Sequence, residues 1–319
     1  MDYTTKKYPE SHSGEEVPCY GQLQPPTEQR KKDRFLGVCI IIAAMIIGGA
    51  WIYTTQLKNI NTEIARDETS AKLKREVLPE SGFALPIIWS DLGKQLADNG
   101  VIDLEKFEAQ VEGLDDTAQR LTSGADNDPI TITEENSRVL LNLFWALGLG
   151  NKSEILETGE MTDMRYGGQA DGFASTAGWT LAVGDPMDHY SRHFMVVLTP
   201  EQQSLVDEIS KNIYRPCCGN STHFPDCNHG MAMLGLLQLM ASQGVTEKEM
   251  YKAALAVNSY WFPDDYLAIA QYLKAKGMAW KDVSPKGILA AEYSSAPGLQ
   301  EIKSQITPIE SKRNNGCNV

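Results

Sequence analysis

An uninterrupted apolar run near the N-terminus constrains this chain more than any other feature. Residues 35–53 read FLGVCIIIAAMIIGGAWIY and carry no charge over 19 positions. An α-helix needs about 20 apolar residues to cross the hydrocarbon layer of a membrane, and a helix satisfies its own backbone hydrogen bonds there. The run therefore predicts a transmembrane helix over residues 35–54.

The charges that flank this run predict its orientation. Four basic residues lie within residues 30–34, whereas Lys58 and Arg66 are the only basic residues shortly after the run. Because basic flanks stay on the cytoplasmic side, we expect a single-pass protein of the cell membrane with a cytoplasmic N-terminus and an extracytoplasmic C-terminal domain. Cleavage of residues 1–50 as a secretory signal is the alternative, although a signal with such a long polar start is atypical.

Composition changes along the chain predict five segments. The first 34 residues are polar and contain Pro-Pro, which is typical of disorder, and helical periodicity continues after the membrane run. The predicted order is a disordered cytoplasmic tail (1–34), the transmembrane helix (35–54), a helical juxtamembrane stalk (55–82), a mainly helical extracytoplasmic domain (83–283) and a loosely ordered C-terminal tail (284–319).

The predicted fold class is mainly α with a small β element. Two capping boxes, at Thr199 and Thr246, mark helix starts in the extracytoplasmic part. Residues 179–183 and 194–198 have the short apolar pattern of two strands. His189 and His193 lie in the intervening loop, where we expect surface histidines. Extra ligands for a metal, or a proton-transfer pair, are the alternatives for these two side chains.

The charge distribution excludes a class of partner. The net charge is −13, and residues 1–34 contain six acidic and six basic side chains, so the excess of acid follows residue 34. An acidic body repels phosphate backbones. We therefore expect no nucleic-acid partner, a membrane contact through residues 35–54, and no protein partner that the sequence identifies.

Three of the six cysteines and two of the five histidines fall within 13 residues. The segment 214–233 reads YRPCCGNSTHFPDCNHGMAM. Thiolate and imidazole ligands suit Zn²⁺, and a set rich in sulfur also suits Cu(I). The candidate metal ligands are therefore Cys217, Cys218, Cys227 and His229, with His223 as a possible replacement, and the candidate cofactor is copper or zinc.

The position of Cys227 and His229 adds a physical reason for this assignment. Both lie at the predicted start of a helix, whose free N–H groups and positive dipole end stabilise a thiolate. The spacing does not match the paired C-x₂-C arms of a zinc ribbon, so it predicts a site without identifying its metal. Met233, Leu236, Leu237 and Met240 form an apolar stripe at helical spacing and are interpreted as core residues, with Met231 or Met233 as a metal ligand the alternative.

Two other interpretations of the cysteines remain open. Outside the membrane the compartment is oxidising, and Cys217, Cys218, Cys227 and Cys317 are an even number that allows two disulfides in a structural or envelope-interaction domain. A thiol oxidoreductase is the third possibility, with Cys217 or Cys218 attacking and Cys227 resolving. Whether the protein is an enzyme is not decided by these residues.

Several stretches resemble a family of single-pass membrane-anchored prokaryotic proteins to which no activity is assigned. The family segment Pro-Cys-Cys…Phe-Pro-Asp-Cys-Asn-His-Gly occurs here over residues 216–230, and the resemblance covers about residues 84–276. It implies one exported unit and supplies no reaction. The stretches that carry it are 85–108, 136–159, 172–182 and 214–245.

Overall fold

The computed structural model describes residues 27–111 and 116–307. The chain divides into an N-terminal unit, residues 1–65, and a second unit, residues 66–319. The mainly helical prediction with a small sheet is confirmed. The helices are α1 (Thr27–Val77), α2 (Leu92–Asp98), α3 (Leu104–Gln110), α4 (Asp116–Thr122), α5 (Ser137–Gly150), α6 (Glu154–Thr158), α7 (Pro200–Lys211), α8 (Asn228–Ser242), α9 (Glu247–Trp261), α10 (Pro263–Ala275), α11 (Pro285–Ile288), α12 (Ala291–Ser294) and α13 (Ala296–Ser304).

The apolar run forms part of the long helix α1. The stretch Arg34–Lys58 has a mean hydropathy of 2.5 and contributes nothing to a buried core. Its 25 residues correspond to a length of about 37 Å at 1.5 Å per residue, which exceeds the ~30 Å hydrocarbon layer. Within the described part of the chain, it is the one helix long and apolar enough to cross a membrane. The predicted tail up to residue 26 lies outside the described residues.

Two central helices, α5 and α8, form the core of the second unit. Both are apolar on all sides and buried over most of their length, as expected for helices that other elements surround completely. They cross at glycines, because a Cβ atom on Gly148 would lie 2.0 Å from the Met231 carbonyl oxygen and one on Gly235 would lie 2.4 Å from the Phe144 carbonyl oxygen. The two backbones therefore touch directly.

Helices α7 and α9 pack beside this central pair, and both begin as predicted. Each start has a complete capping box, formed by Thr199 with Gln202 and by Thr246 with Glu249. These boxes satisfy backbone N–H groups that have no partner in the first helical turn. The loop between α7 and α8, residues 212–227, contains the predicted cysteine cluster.

The small sheet is not where the sequence placed it. It consists of β1 (Phe83–Ala84) and β2 (Thr131–Ile132), which are antiparallel, with Phe83 opposite Ile132. The predicted strands 179–183 and 194–198 are irregular segments, so that prediction is wrong.

Hydrogen bonds to other parts of the chain explain why the two predicted strands do not form. The Asn151 Oδ1 atom accepts from the N–H groups of Met195 and Val196, and the Asn151 amide nitrogen donates to the Val196 carbonyl. The backbone N–H of Val183 donates to the carbonyl of Gly100. Because these backbone groups are already satisfied, the segments do not need a strand partner.

The C-terminal region is more ordered than expected up to residue 307. Residues 285–304 form α11, α12 and α13, and the side chains of Leu299 and Ile302 are buried. The prolines that suggested a loose tail, Pro285 and Pro297, occupy the first turns of helices, where the missing N–H has no intrahelical role. Residues 308–319, which include Cys317, lie outside the described residues.

Candidate metal centre

The cysteine loop between α7 and α8 is held by hydrogen bonds within the loop and to two neighbouring segments. Within the loop, Thr222 donates from its backbone N–H and from its hydroxyl to the Ile213 carbonyl. The Tyr214 N–H donates to the Leu289 carbonyl at 2.8 Å, and the Cys218 carbonyl accepts from the Ala296 N–H at 2.9 Å. These bonds position the cysteines on a rigid turn.

The structure brings three of the predicted ligands together. The Sγ atoms of Cys217, Cys218 and Cys227 all lie within 4.8 Å of one another and are half-buried. The Cys217 and Cys227 sulfurs are 3.6 Å apart and form a thiol hydrogen bond. All three are free thiols. A single ion with Zn–S distances near 2.3 Å would need sulfurs within about 4 Å of one another, so the group requires only small side-chain movements to bind one.

Arg215 contacts the cysteine cluster, and this contact was not predicted from the sequence. Its side chain is only 1% exposed, yet every N–H of its guanidinium has an acceptor. The Nε atom donates to the Cys227 sulfur at 2.9 Å. The two terminal nitrogens donate to the carbonyls of Asn220, Ser221 and Phe224 and to the Asp226 carboxylate. A buried cation needs such complete pairing.

Gly230 makes room for this guanidinium. A Cβ atom at residue 230 would lie 2.6 Å from Cζ of Arg215. The first turn of α8 therefore approaches the arginine as closely as the backbone permits, and Cys227 is the N-cap residue of the same helix. The sequence signal for this arrangement was local, because Arg215 lies two positions before Cys217 and Asp226 directly precedes Cys227.

The three thiols differ in acidity. Hydrogen bonds from Cys217 and Cys218, together with the Arg215 charge and His229, hold the pKa of Cys227 well below its ordinary value. The pKa of Cys217 is raised by the hydrogen bonds of Cys217 to Cys218 and Cys227 and by burial. The hydrogen bond with Cys217 lowers the pKa of Cys218. The hydrogen bond with Cys227 and burial together have the larger effect and raise the pKa of Cys218 to about 11. Cys227 is therefore the sulfur that ionises first.

His229 lies next to the sulfurs but is not a member of the group of three converging ligands. Its ring is 6% exposed and packs on Phe262 and Trp261, with centroids 4.4 and 5.6 Å away. It contributes to the lowered pKa of Cys227. Its Nδ1 atom is buried and has no hydrogen-bond partner among the described residues. A buried ring nitrogen without a partner costs about 1–3 kcal/mol, which a ligand or water at this atom would recover.

His223 is held in a different place. Its Nδ1 atom lies 2.6 Å from Glu160 Oε2, and its Nε2 atom lies 2.9 Å from Asp207 Oδ1. Both ring nitrogens are therefore used by carboxylates on other segments, and the structure does not bring His223 to the sulfurs. Met231 and Met233 are buried in α8, in agreement with their interpretation as core residues.

The second histidine pair is also separate from the cysteine cluster. The His189 Nδ1 atom lies 3.2 Å from the His193 Nε2 atom, and the other His189 nitrogen lies 2.9 Å from the Val183 carbonyl oxygen. His189 is only 8% exposed, so the expectation of a surface group is wrong for it. Burial, followed by His189 and Arg192, lowers the pKa of His193.

The site and the fold together define a class of protein: a helical domain that follows a membrane-length apolar helix and displays three converging thiols at a helix N-terminus. The chain matches no family model, no curated protein and no solved structure.

Proposed function

We propose that the protein binds one soft metal ion, Cu(I) or Zn²⁺, through Cys217, Cys218 and Cys227. The observation that carries the proposal is the convergence of the three sulfurs within 4.8 Å of one another. Thiolate sulfur selects these ions over Mg²⁺ or Ca²⁺, which prefer oxygen. The buried Arg215 guanidinium supports the proposal because it offsets part of the negative charge that the ligands acquire.

The two metals place different demands on His229. A structural Zn²⁺ site has four ligands in a tetrahedron, so zinc needs a nitrogen in addition to the three sulfurs. In this proposal the His229 ring, whose Nδ1 atom has no hydrogen-bond partner among the described residues, turns toward the cluster and supplies that nitrogen. A Cu(I) ion is satisfied by soft sulfur ligands and does not depend on the imidazole.

The test is metal titration of the full chain, purified in detergent and kept reduced. We expect one metal ion per chain by elemental analysis, and loss of binding in Cys227→Ser. Cys39→Ser is the matched control, because Cys39 is a free, exposed thiol in the apolar stretch of α1. His229→Ala is expected to weaken zinc binding and to leave Cu(I) binding largely intact. Equal metal content in Cys227→Ser and Cys39→Ser would contradict the proposal.

We also propose that the protein is a single-pass membrane protein with the metal site outside the cytoplasm, as in the membrane-anchored prokaryotic family that it resembles. The support is the cluster of basic residues within 30–34 ahead of the apolar helix. Reporter fusions that are active on only one side of the membrane test this. A reporter placed after residue 307 should be active only in its extracytoplasmic form, and cytoplasmic activity would reverse the topology.

A further inference from the structure

The same three cysteines contain a second arrangement that does not require a metal. The Cys217 and Cys227 sulfurs lie 3.6 Å apart, in hydrogen-bond contact. Ten positions separate them in the chain, and both belong to a turn that neighbouring elements hold in place. The two sulfurs need to approach by about 1.5 Å to reach the S–S bond length of about 2.05 Å. The pair is therefore placed to form and break an intramolecular disulfide.

The two sulfurs of this pair are not equivalent. The Arg215 Nε atom donates its hydrogen to the Cys227 sulfur at 2.9 Å, and Cys227 is also the N-cap of α8. Both features stabilise negative charge on that sulfur. Cys217 has neither an arginine donor nor a helix start, and its sulfur contacts that of Cys227. In thiol–disulfide exchange the sulfur that best carries charge is the one that attacks and the one that leaves.

Cys218 is the third sulfur of the group. Its sulfur lies 3.9 Å from the Asn220 carbonyl, and its backbone carbonyl accepts from the Ala296 N–H. A bond to the adjacent Cys217 would strain the intervening peptide. Cys227, rather than Cys218, is therefore the disulfide partner of Cys217.

We propose that the protein undergoes thiol–disulfide exchange with a small disulfide, with Cys227 as the attacking residue and Cys217 as the resolving residue. The Cys227 sulfur attacks one sulfur of a small disulfide, the disulfide bond breaks, and one small thiol leaves. The Cys217 sulfur then attacks the Cys227 sulfur of the mixed disulfide and releases the second small thiol. The pair loses two electrons and two protons, and the small disulfide gains both and becomes two thiols.

This inference assigns the roles opposite to those expected from the sequence, and it does not depend on the proposed metal. The structural reason for the reversal is Arg215, which contacts the Cys227 sulfur and no other. The oxidant is a low-molecular-weight disulfide, and the three cysteines of the turn are partly exposed. Arg215 is a positioning residue for Cys227.

The test uses the full chain in detergent, reduced and freed of metal by a chelator, with glutathione disulfide as the probe. We expect the wild type to release two thiols per chain and to contain a Cys217–Cys227 disulfide in peptide mass spectra. In Cys217→Ser a glutathione adduct should accumulate on Cys227. In Cys227→Ser the rate should fall by about tenfold or more, since the remaining thiols lack the arginine donor.

Cys39→Ser is the matched control, because it removes a free thiol that lies outside the turn, and it should keep the exchange rate within about twofold. Exchange is measured on metal-free protein, so failure of exchange and failure of metal binding are distinguishable. Partial alkylation of the wild type is a second measurement that needs no variant, and it should label Cys227 first. First labelling of Cys217, or an unchanged rate in Cys227→Ser, would overturn the assignment.

Discussion

Arg215→Lys provides the most direct test of how the cysteine loop is held together. The arginine has five N–H donors, and the structure gives each of them an acceptor. Lysine keeps the charge but has three donors, so at least two of the acceptors lose their partner. A buried acceptor without a donor costs about 1–3 kcal/mol. We therefore expect a loss of about 2–6 kcal/mol in the free energy of unfolding.

The measurement is denaturant unfolding of the full chain in detergent, followed by tryptophan fluorescence, since Trp145 and Trp179 are buried in the same unit. Arg165→Lys is the matched control, because Arg165 is 77% exposed and pairs with Asp163 at the surface. Such exposed pairs contribute about 0–1 kcal/mol. If Arg215→Lys and Arg165→Lys unfold at the same denaturant concentration, the guanidinium does not organise the loop.

Two further predictions concern the packing and the ion pairs around the site. Gly148→Ala should destabilise the protein by about 3 kcal/mol or more, because the new methyl group would lie 2.0 Å from a backbone carbonyl oxygen of α8. Gly219→Ala is the control for the same unfolding assay. It should be nearly neutral, because a Cβ atom at residue 219 has no neighbour within 4 Å. Burial opposes ionisation of Asp207, but hydrogen bonds from Lys211 and His223 outweigh it and lower the Asp207 pKa below 3.8. A carboxyl whose pKa is lowered in the folded state stabilises the fold above its unfolded-state pKa, and this stabilisation is lost as the pH falls through the folded-state pKa. The stability difference between wild type and Asp207→Asn should therefore be largest near pH 7 and shrink below about pH 4. A difference that grows on acidification would refute this prediction.

The site was predictable where its parts are close in sequence. Cys217, Cys218 and Cys227 lie within 11 positions, so a single turn can bring them together. His223 lies between them in sequence and still does not join them. Its partners, Glu160 and Asp207, are 63 and 16 residues away, and nothing in a local pattern indicates that two carboxylates will bind both ring nitrogens.

The fold was predictable on the same terms. Capping boxes at Thr199 and Thr246 are local signals, and both helices begin there. The expected strands were local signals as well, but a single distant side chain, Asn151, takes over the hydrogen bonds of residues 195 and 196. Tertiary contacts of this kind override short strand patterns.

The charges around the cluster connect the two proposed activities. Arg215 is the cation that contacts the Cys227 sulfur, and its charge is shared with the Asp226 carboxylate. The part of the Arg215 charge that Asp226 does not neutralise favours ionisation of Cys227, while the pKa values of Cys217 and Cys218 are raised.

A second thiolate in this turn would therefore lack a compensating charge. Two processes remove that difficulty: a bound cation neutralises additional thiolates, and oxidation of Cys217 with Cys227 replaces two ionisable groups by a neutral disulfide. Metal binding and disulfide formation thus compete for the same two sulfurs. A ligated metal should protect Cys217 and Cys227 from glutathione disulfide, and the Cys217–Cys227 disulfide should exclude the metal.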